Sequence, residues 1–505
     1  LVTRSVTRPR EYGRPMERPE PLPDLDWTPD RAAEFGQSAL ELWTEYLRRL
    51  PAMPVTHPHT PAQTRAAVLA GRDVPDKPLG DDELLDHLRT VVFEHGAQTG
   101  HGGFMAFITG AGTVPGAPAA LLAAGINQNL GGWPLGPAAT EIENHVLAWF
   151  AARLGLPAQS SGAFVTGGAT ANLMALAVAR DALAGWDVRR DGVSAGPPLA
   201  IYASDDVHET VDRAADLLGL GTAAVRRIAT DDRFRLRPDA VAAAIERDLA
   251  DGVRPLAVVA TAGTTELGAI DPLEALADVA REHGCWFHVD AAYGGPAAMV
   301  DELRPAFAGI ERADSITCDP HKWLNMPISA SLVLFRDPSR HVAAFTLQPD
   351  YTKLDAEVES DMMLRYQWTP QFTRPFDALP VWVSLLAQGW DASARRIRHD
   401  VELAGWLHHL VGEHDELEAL ADPELSIVCF RYVPPGPHDA AYLDDLNERI
   451  LYAVQRAGRV YPSNAVVAGR YAIRACLISY RTEAEHVEAL VDDVVAHGRR
   501  LHAEG

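Results

Sequence analysis

Cysteine is scarce in this chain. Cys285, Cys318, Cys429 and Cys476 are the only four among 505 residues, and they show neither metal-ligand spacing nor a dense framework. That excludes a disulfide-stapled scaffold and a cysteine-rich zinc module, and reads as reduced, buried thiols in a cytoplasmic setting. Basic charge is also in deficit: 45 Lys and Arg face 69 Asp and Glu, for a net charge of -24. This balance argues against nucleic acid and against an anionic membrane surface as partners. An unbroken apolar run is missing as well. The uncharged stretch from Phe104 to Thr140 is interrupted by Gly110, Gly112, Pro115, Gly116 and Pro118, then by Asn127, Gln128 and Asn129. A spanning helix would not be broken so often, and a buried subunit interface accounts for it better. The first twenty residues hold Arg4, Arg8, Arg10, Arg14 and Arg18 among prolines, with no apolar core. They read as a disordered tail, residues 1–26, or an upstream extension with Met16 as another candidate start, and not as a secretory signal.

What is present falls into three zones. Thr28-Pro29-Asp30 has the order of a helix start, with a capping hydroxyl, a first-turn proline and an acid. Phe35, Leu42, Trp43, Tyr46, Leu47 and Leu50 follow at helical spacing up to Pro51. Asp81-Asp82 opens a second helix. The proline-rich connector between them contains His57-Pro-His59, which lacks a third ligand and reads as a solvated loop. From about His101, short apolar runs alternate with helical patterns, the signature of an α/β sheet domain. The runs are 163–165, 199–203, 255–260, 286–289 and 316–317, with Ser331–Phe335 returning as an antiparallel strand. The basic run Arg395-Arg-Ile-Arg398 begins a helix that marks a boundary. Beyond it, Leu425–Val433 and Tyr471–Ser479 alternate as strands, while Tyr442–Ala457 and Thr482–His497 read as helices. The division expected is a helical segment 27–100, a large α/β domain 101–394 and a small α+β domain 395–505.

Two stretches carry chemistry. Phe287-His-Val-Asp-Ala-Ala-Tyr-Gly294 places Asp290 at the end of an apolar run. About thirty residues on, Asp314-Ser-Ile-Thr-Cys-Asp-Pro-His-Lys-Trp-Leu-Asn325 places Lys322 just after another. Pyridoxal phosphate chemistry needs this pair: a lysine amine to form a Schiff base with the cofactor aldehyde, and a carboxylate to keep the pyridine nitrogen protonated. Ala163-Phe-Val-Thr-Gly-Gly-Ala-Thr170 adds a glycine-rich turn opening a helix, whose free N–H groups and dipole suit a phosphate. Gly110-Ala-Gly-Thr-Val-Pro-Gly116 lacks the lysine of a nucleotide loop and the spacing of a dinucleotide fingerprint.

On these residues the chain, from Trp27 to its C-terminal helix, resembles the group II pyridoxal-phosphate amino-acid decarboxylases, the family of aromatic-L-amino-acid decarboxylase. The resemblance implies fold type I: a large, mostly parallel seven-stranded sheet with helices on both faces, a small α+β C-terminal domain, and an N-terminal helical segment packed over the partner in a homodimer with shared active sites. It assigns the cofactor phosphate to Ala169 and Thr170 and ring stacking to His208. It adds Thr264, Ala292, Asp319 and His321 to Lys322 and Asp290 as cofactor contacts. Tyr351, in the turn-rich stretch Phe345–Lys353, matches the loop tyrosine that returns a proton to the substrate carbon. A phenol suits this task because it stays protonated at neutral pH. Phe107, Ile108, Thr109 and Trp133 are implied near the substrate side chain. Ile108 and Thr109 depart from the aromatic enzymes' pattern, so a bulky apolar, thioether or modified side chain is as acceptable as an aromatic one. Thr369–Trp382 is similar to the family's arginine-containing segment before a long helix.

The expected reaction is decarboxylation of an L-amino acid to an amine and carbon dioxide, carried by Lys322, Asp290, His208 and Tyr351. Rival outcomes on the same cofactor are oxidative deamination to an aldehyde, aminotransfer and β-elimination, since one fold hosts many chemistries. A catalytically dead binding protein would have lost Lys322, Asp290 or the phosphate turn, and all are present.

Overall fold

The computed structural model describes residues 25–57, 59–69, 75–346 and 363–504. These form two compact units, residues 25–49 with 59–96, and residues 50–57 with 97–504.

The first unit is helical. Thr28 Oγ1 accepts from Arg31 N at 3.2 Å and caps the helix Pro29–Arg49, as its sequence predicts. A second helix, Asp81–Leu88, begins at the acidic pair, and Arg31 of the first helix reaches Asp81 at 3.2 Å.

The second unit is built on a seven-stranded sheet: β1 Ser161–Val165, β2 Leu199–Ser204, β3 Val225–Ile228, β4 Arg254–Thr261, β5 Trp286–Asp290, β6 Ser315–Cys318 and β7 Ser331–Phe335. Their order is β1-β7-β6-β5-β4-β2-β3. β7 is antiparallel to both of its neighbours, and the other pairings are parallel. β2, β5, β6 and β7 are buried at every position, as strands covered by helices on both faces must be. β3 was not anticipated. Its sequence Val-Arg-Arg-Ile carries charge on an edge strand, where solvent takes the polar side chains.

A smaller antiparallel sheet follows: β8 Leu417–Ala419, β9 Ile427–Tyr432, β10 Ser463–Val467 and β11 Arg470–Cys476, in the order β10-β11-β9-β8. Helices Trp390–Gly412, Ala440–Ala457 and Ala484–Glu504 bury Leu403, Leu407, Leu446, Ile450, Leu490 and Val494 against it. The helix expected from residue 395 starts earlier, at Trp390, with Gly389 at φ 72° turning the chain into it. Among the described residues, no helix is long and apolar enough to cross a membrane. The apolar stretch before β1 folds instead into helices Gly116–Ile126 and Pro137–Arg153. The first of these leaves Leu121 68% exposed, with Leu122 and Ile126 also exposed. All four cysteines are free and buried.

Candidate active site

Parallel strands gather their C-terminal ends along one edge of the sheet, and ligands bind in the crevice there. Register aligns Thr261 of β4 with Asp290 of β5, and Asp290 with Thr317 of β6. The turn after β6 then brings in Asp319, His321 and Lys322. β1 leads through Gly167, at φ 124°, into the helix Gly168–Leu183, and β2 leads to His208. The result is a cavity of roughly 270 Å³. The helix start lines it with Gly167, Gly168, Ala169 and Asn172. His208 and Thr210 face it from beyond β2, and Thr261, Gly263 and Thr265 from the end of β4. Asp290, Ala292, Tyr293, Asp319, His321 and Lys322 complete it.

Lys322 Nζ lies 3.1 Å from Asp319 Oδ2. Burial works against the ammonium form, but the carboxylates of Asp319 and Asp290 together outweigh it, and the pKa stands above the ordinary lysine value. Asp290 is held on two sides: Asn172 Nδ2 donates to Oδ2 at 2.7 Å, and Ala292 N donates to Oδ1 at 3.1 Å. His321 Nδ1 faces the Ala330 carbonyl oxygen at 2.8 Å. Tyr293 stacks on Trp323, the residue after Lys322, with ring centroids 4.8 Å apart.

The sequence-derived residues are distributed unevenly. Lys322, Asp290, His208, Ala169, Ala292, Asp319 and His321 all line the cavity. Thr170 and Thr264 do not. Thr170 Oγ1 pairs with Thr166 Oγ1 at 3.3 Å, and Thr264 Oγ1 accepts from Ala269 N at 3.1 Å, closing its own turn. Phe107, Ile108, Thr109 and Trp133 lie outside the lining too. Phe107 is exposed at φ 57°, and Trp133 Nε1 donates to Glu141 at 2.9 Å. Tyr351 lies outside the described residues. Arg374 sits away from the cavity, donating to Glu143 Oε1 and to the Phe164 carbonyl oxygen at 2.9 Å each, and so braces β1. Sequence reasoning missed Asn172, Thr210, Gly263 and Tyr293. Asn172 had a signal, because a polar amide on the buried face of an Ala-rich helix needs partners. Scarcity was a second unused signal: Lys77, Lys322 and Lys353 are the three lysines of the chain.

The residues fit pyridoxal phosphate. The helix start offers backbone N–H groups where Gly167 and Gly168 leave no side chain in the way. Thr261 Oγ1 is buried beside the cavity with no partner among the described residues. An amine and a carboxylate share the same small space. Fold and site together define a fold-type I enzyme that works with this cofactor.

Comparison narrows the class. Residues 61–433 match the pyridoxal-dependent decarboxylase conserved domain. An aromatic-L-amino-acid decarboxylase of Bacillus atrophaeus is 31% identical over 93% of this chain and 98% of its own. A phenylacetaldehyde synthase of Arabidopsis thaliana is 30% identical over 91% and 94%. The crystal structure of Oryza sativa TDC with PLP and tryptamine superposes with a TM-score of 0.88, at 28% identity, covering 94% of this chain and 99% of that one. The chain belongs to the pyridoxal-dependent decarboxylase family and is an amino-acid decarboxylase.

Proposed function

We propose that this enzyme converts a bulky L-amino acid, aromatic or apolar, to its amine and carbon dioxide. The observation that carries the reading is Lys322 and Asp290 facing one small cavity whose edge is a glycine-bearing helix start. The aromatic side of the substrate range is supported by what the relatives act on. When bound, pyridoxal phosphate supplies the electron sink for loss of the carboxylate.

The chain's own groups have defined tasks in this reading. Lys322 Nζ would hold the cofactor, and Asp319 Oδ2 is placed to accept its proton. The Asp290 carboxylate would hold the pyridine nitrogen protonated. Backbone N–H groups around Ala169 take the phosphate. His208, which lines the cavity, would pack on the ring and offer a nitrogen to the substrate carboxylate. Tyr351 would return a proton to the substrate α-carbon, and its presence favours simple decarboxylation over the oxidative path without deciding between them. The protein's contribution is orientation and fixed charge.

The active unit in this proposal is a cytoplasmic homodimer, with residues 27–100 contributing to assembly, 101–394 holding the cofactor and 395–505 forming the small domain. Its support is exposed apolar surface: Leu121, Leu122 and Ile126 on one helix, with Phe107, Leu135, Ile328 and Phe372 elsewhere on the same unit. Such exposure on a folded unit calls for a partner, and a second copy would also enclose the substrate. Reduced, buried cysteines support the compartment.

A second reading, decarboxylation coupled to oxidative deamination, with oxygen and water consumed and an aldehyde, carbon dioxide, ammonia and hydrogen peroxide released, is favoured by the similarity to an aldehyde synthase. Purified enzyme incubated with a panel of L-amino acids decides between them. Amine formation equal to carbon dioxide release without oxygen uptake supports decarboxylation, whereas aldehyde with matching oxygen uptake replaces it.

A further inference from the structure

Asn172 is 1% exposed and makes four hydrogen-bonding contacts across the floor of the cavity. Nδ2 donates to Asp290 Oδ2 at 2.7 Å and to Thr210 Oγ1 at 3.0 Å. Oδ1 accepts from Thr317 Oγ1 at 2.7 Å and lies 3.1 Å from His288 Nε2. A carboxylate offers only acceptors, so the NH2 side of the amide must face Asp290. That choice fixes every other hydrogen in the chain of contacts.

On one side, Asn172 Oδ1 faces His288, so the imidazole hydrogen sits on Nε2. Burial lowers the His288 pKa, against Asp290 and the Ser315 backbone, which both raise it, and so favours the neutral ring. Nδ1 is then an acceptor. Ser315 Oγ, 2.9 Å away, donates to it and itself accepts at 2.8 Å from Trp286 Nε1, a group that can only donate. On the other side, Thr210 Oγ1 accepts from Asn172 and keeps its own hydrogen for His208 Nδ1 at 3.1 Å. Thr210 N–H also points at that nitrogen, at 3.2 Å. A backbone N–H cannot accept, so His208 Nδ1 is bare and its hydrogen lies on Nε2.

We propose that Asn172 is a positioning residue whose one amide orients the Asp290 carboxylate and, by donating to Thr210 Oγ1, turns that hydroxyl's hydrogen toward His208 Nδ1, reinforcing the Nε2–H form that the Thr210 backbone N–H sets. A single side chain thereby reaches both groups that must meet opposite ends of the cofactor–substrate pair, one directly and one through Thr210. The donor offered by His208 Nε2 suits an anion, here the substrate carboxylate. This rests on the decarboxylase reading above and deepens it.

The test uses Asn172→Leu, similar in size without polar atoms, and Asn172→Asp, which keeps the acceptor and loses the donor. Histidine-selective 15N labelling of the cofactor-free protein, assigned with His208→Gln and His288→Gln, reads the tautomers. The wild type should show protonated Nε2 and bare Nδ1 at both histidines. In Asn172→Leu the His288 preference should collapse to a mixture. Either variant should weaken pyridoxal phosphate binding, followed by fluorescence quenching, by about tenfold or more, and lower kcat similarly while KM stays within about threefold. A protonated Nδ1 at either wild-type histidine overturns the proposal. So does cofactor affinity and kcat within about twofold of wild type in whichever variant folds. A wild type that takes up no pyridoxal phosphate while showing the expected tautomers would instead sink the decarboxylase reading alone.

Discussion

Gly110 lies against the backbone of Lys322: a Cβ at position 110 would sit 2.5 Å from the Lys322 carbonyl oxygen and 2.6 Å from that of His321. Gly110 N also donates to the His321 carbonyl oxygen at 3.3 Å. The glycine that resembles part of a nucleotide loop therefore serves close approach behind the lysine. Since backbone cannot yield as a flexible side chain can, Gly110→Ala should displace the Lys322 turn. The expected cost is about 1–3 kcal/mol of stability, with weaker cofactor uptake. Urea unfolding and a pyridoxal phosphate titration check the two effects together.

Lys322 predicts a pH dependence for loading. Its pKa is raised, so the ammonium dominates at neutral pH in the cofactor-free protein, while the neutral amine is the nucleophile. The rate of cofactor uptake should therefore climb as pH rises from about 7 toward 9, approaching tenfold per unit where the amine fraction is limiting. Stopped-flow absorbance measures it. A rate that falls over this range would contradict the assignment.

Asp400 predicts a pH dependence of stability. Burial pushes its pKa up to about 7, offset only partly by Arg396 and by the hydrogen bond from Trp323 Nε1. The folded state then holds a proton that the unfolded chain releases near pH 4. The stabilisation is complete below the unfolded value and is lost as pH rises toward the folded one. The margin of wild type over Asp400→Asn in urea unfolding should thus shrink between pH 5 and about 7 and level off above. A margin that grows with pH would refute the assignment.

The exposed helix Gly116–Ile126 predicts an assembly. Leu121→Glu places a charge where 68% of the residue is open in the single chain. If a second copy covers it, desolvating that charge should weaken association by several kcal/mol. Sedimentation should show wild-type dimer and variant monomer, with activity lost in parallel. A monomeric wild type would remove the shared-site proposal.

The large sheet was legible in the sequence because strands buried on both faces are written as unbroken apolar runs, visible at 199–203 and 255–260. β3 was not, because an edge strand of Val-Arg-Arg-Ile has no such signature. The cavity's charged members were legible from Lys322 and Asp290, each placed at a strand end, where α/β sheets concentrate chemistry. Its hydroxyls were less so. Thr261, Thr264 and Thr265 look alike in sequence, and only the turn closed by Thr264 Oγ1 and Ala269 N decides which of them face inward. Asn172 was hidden by its helix, since its partners Asp290 and His288, Thr210, and Thr317 come from three distant segments.

The most direct test of the account is to find where the cofactor attaches. The purified protein is loaded with pyridoxal phosphate, reduced with borohydride, digested after arginine and examined by mass spectrometry. Only Lys77, Lys322 and Lys353 are available in the chain. The account predicts one pyridoxyl phosphate per chain on the peptide containing Lys322, and none in Lys322→Ala. Attachment at Lys77 or Lys353, or a preparation that takes up no cofactor, would contradict it.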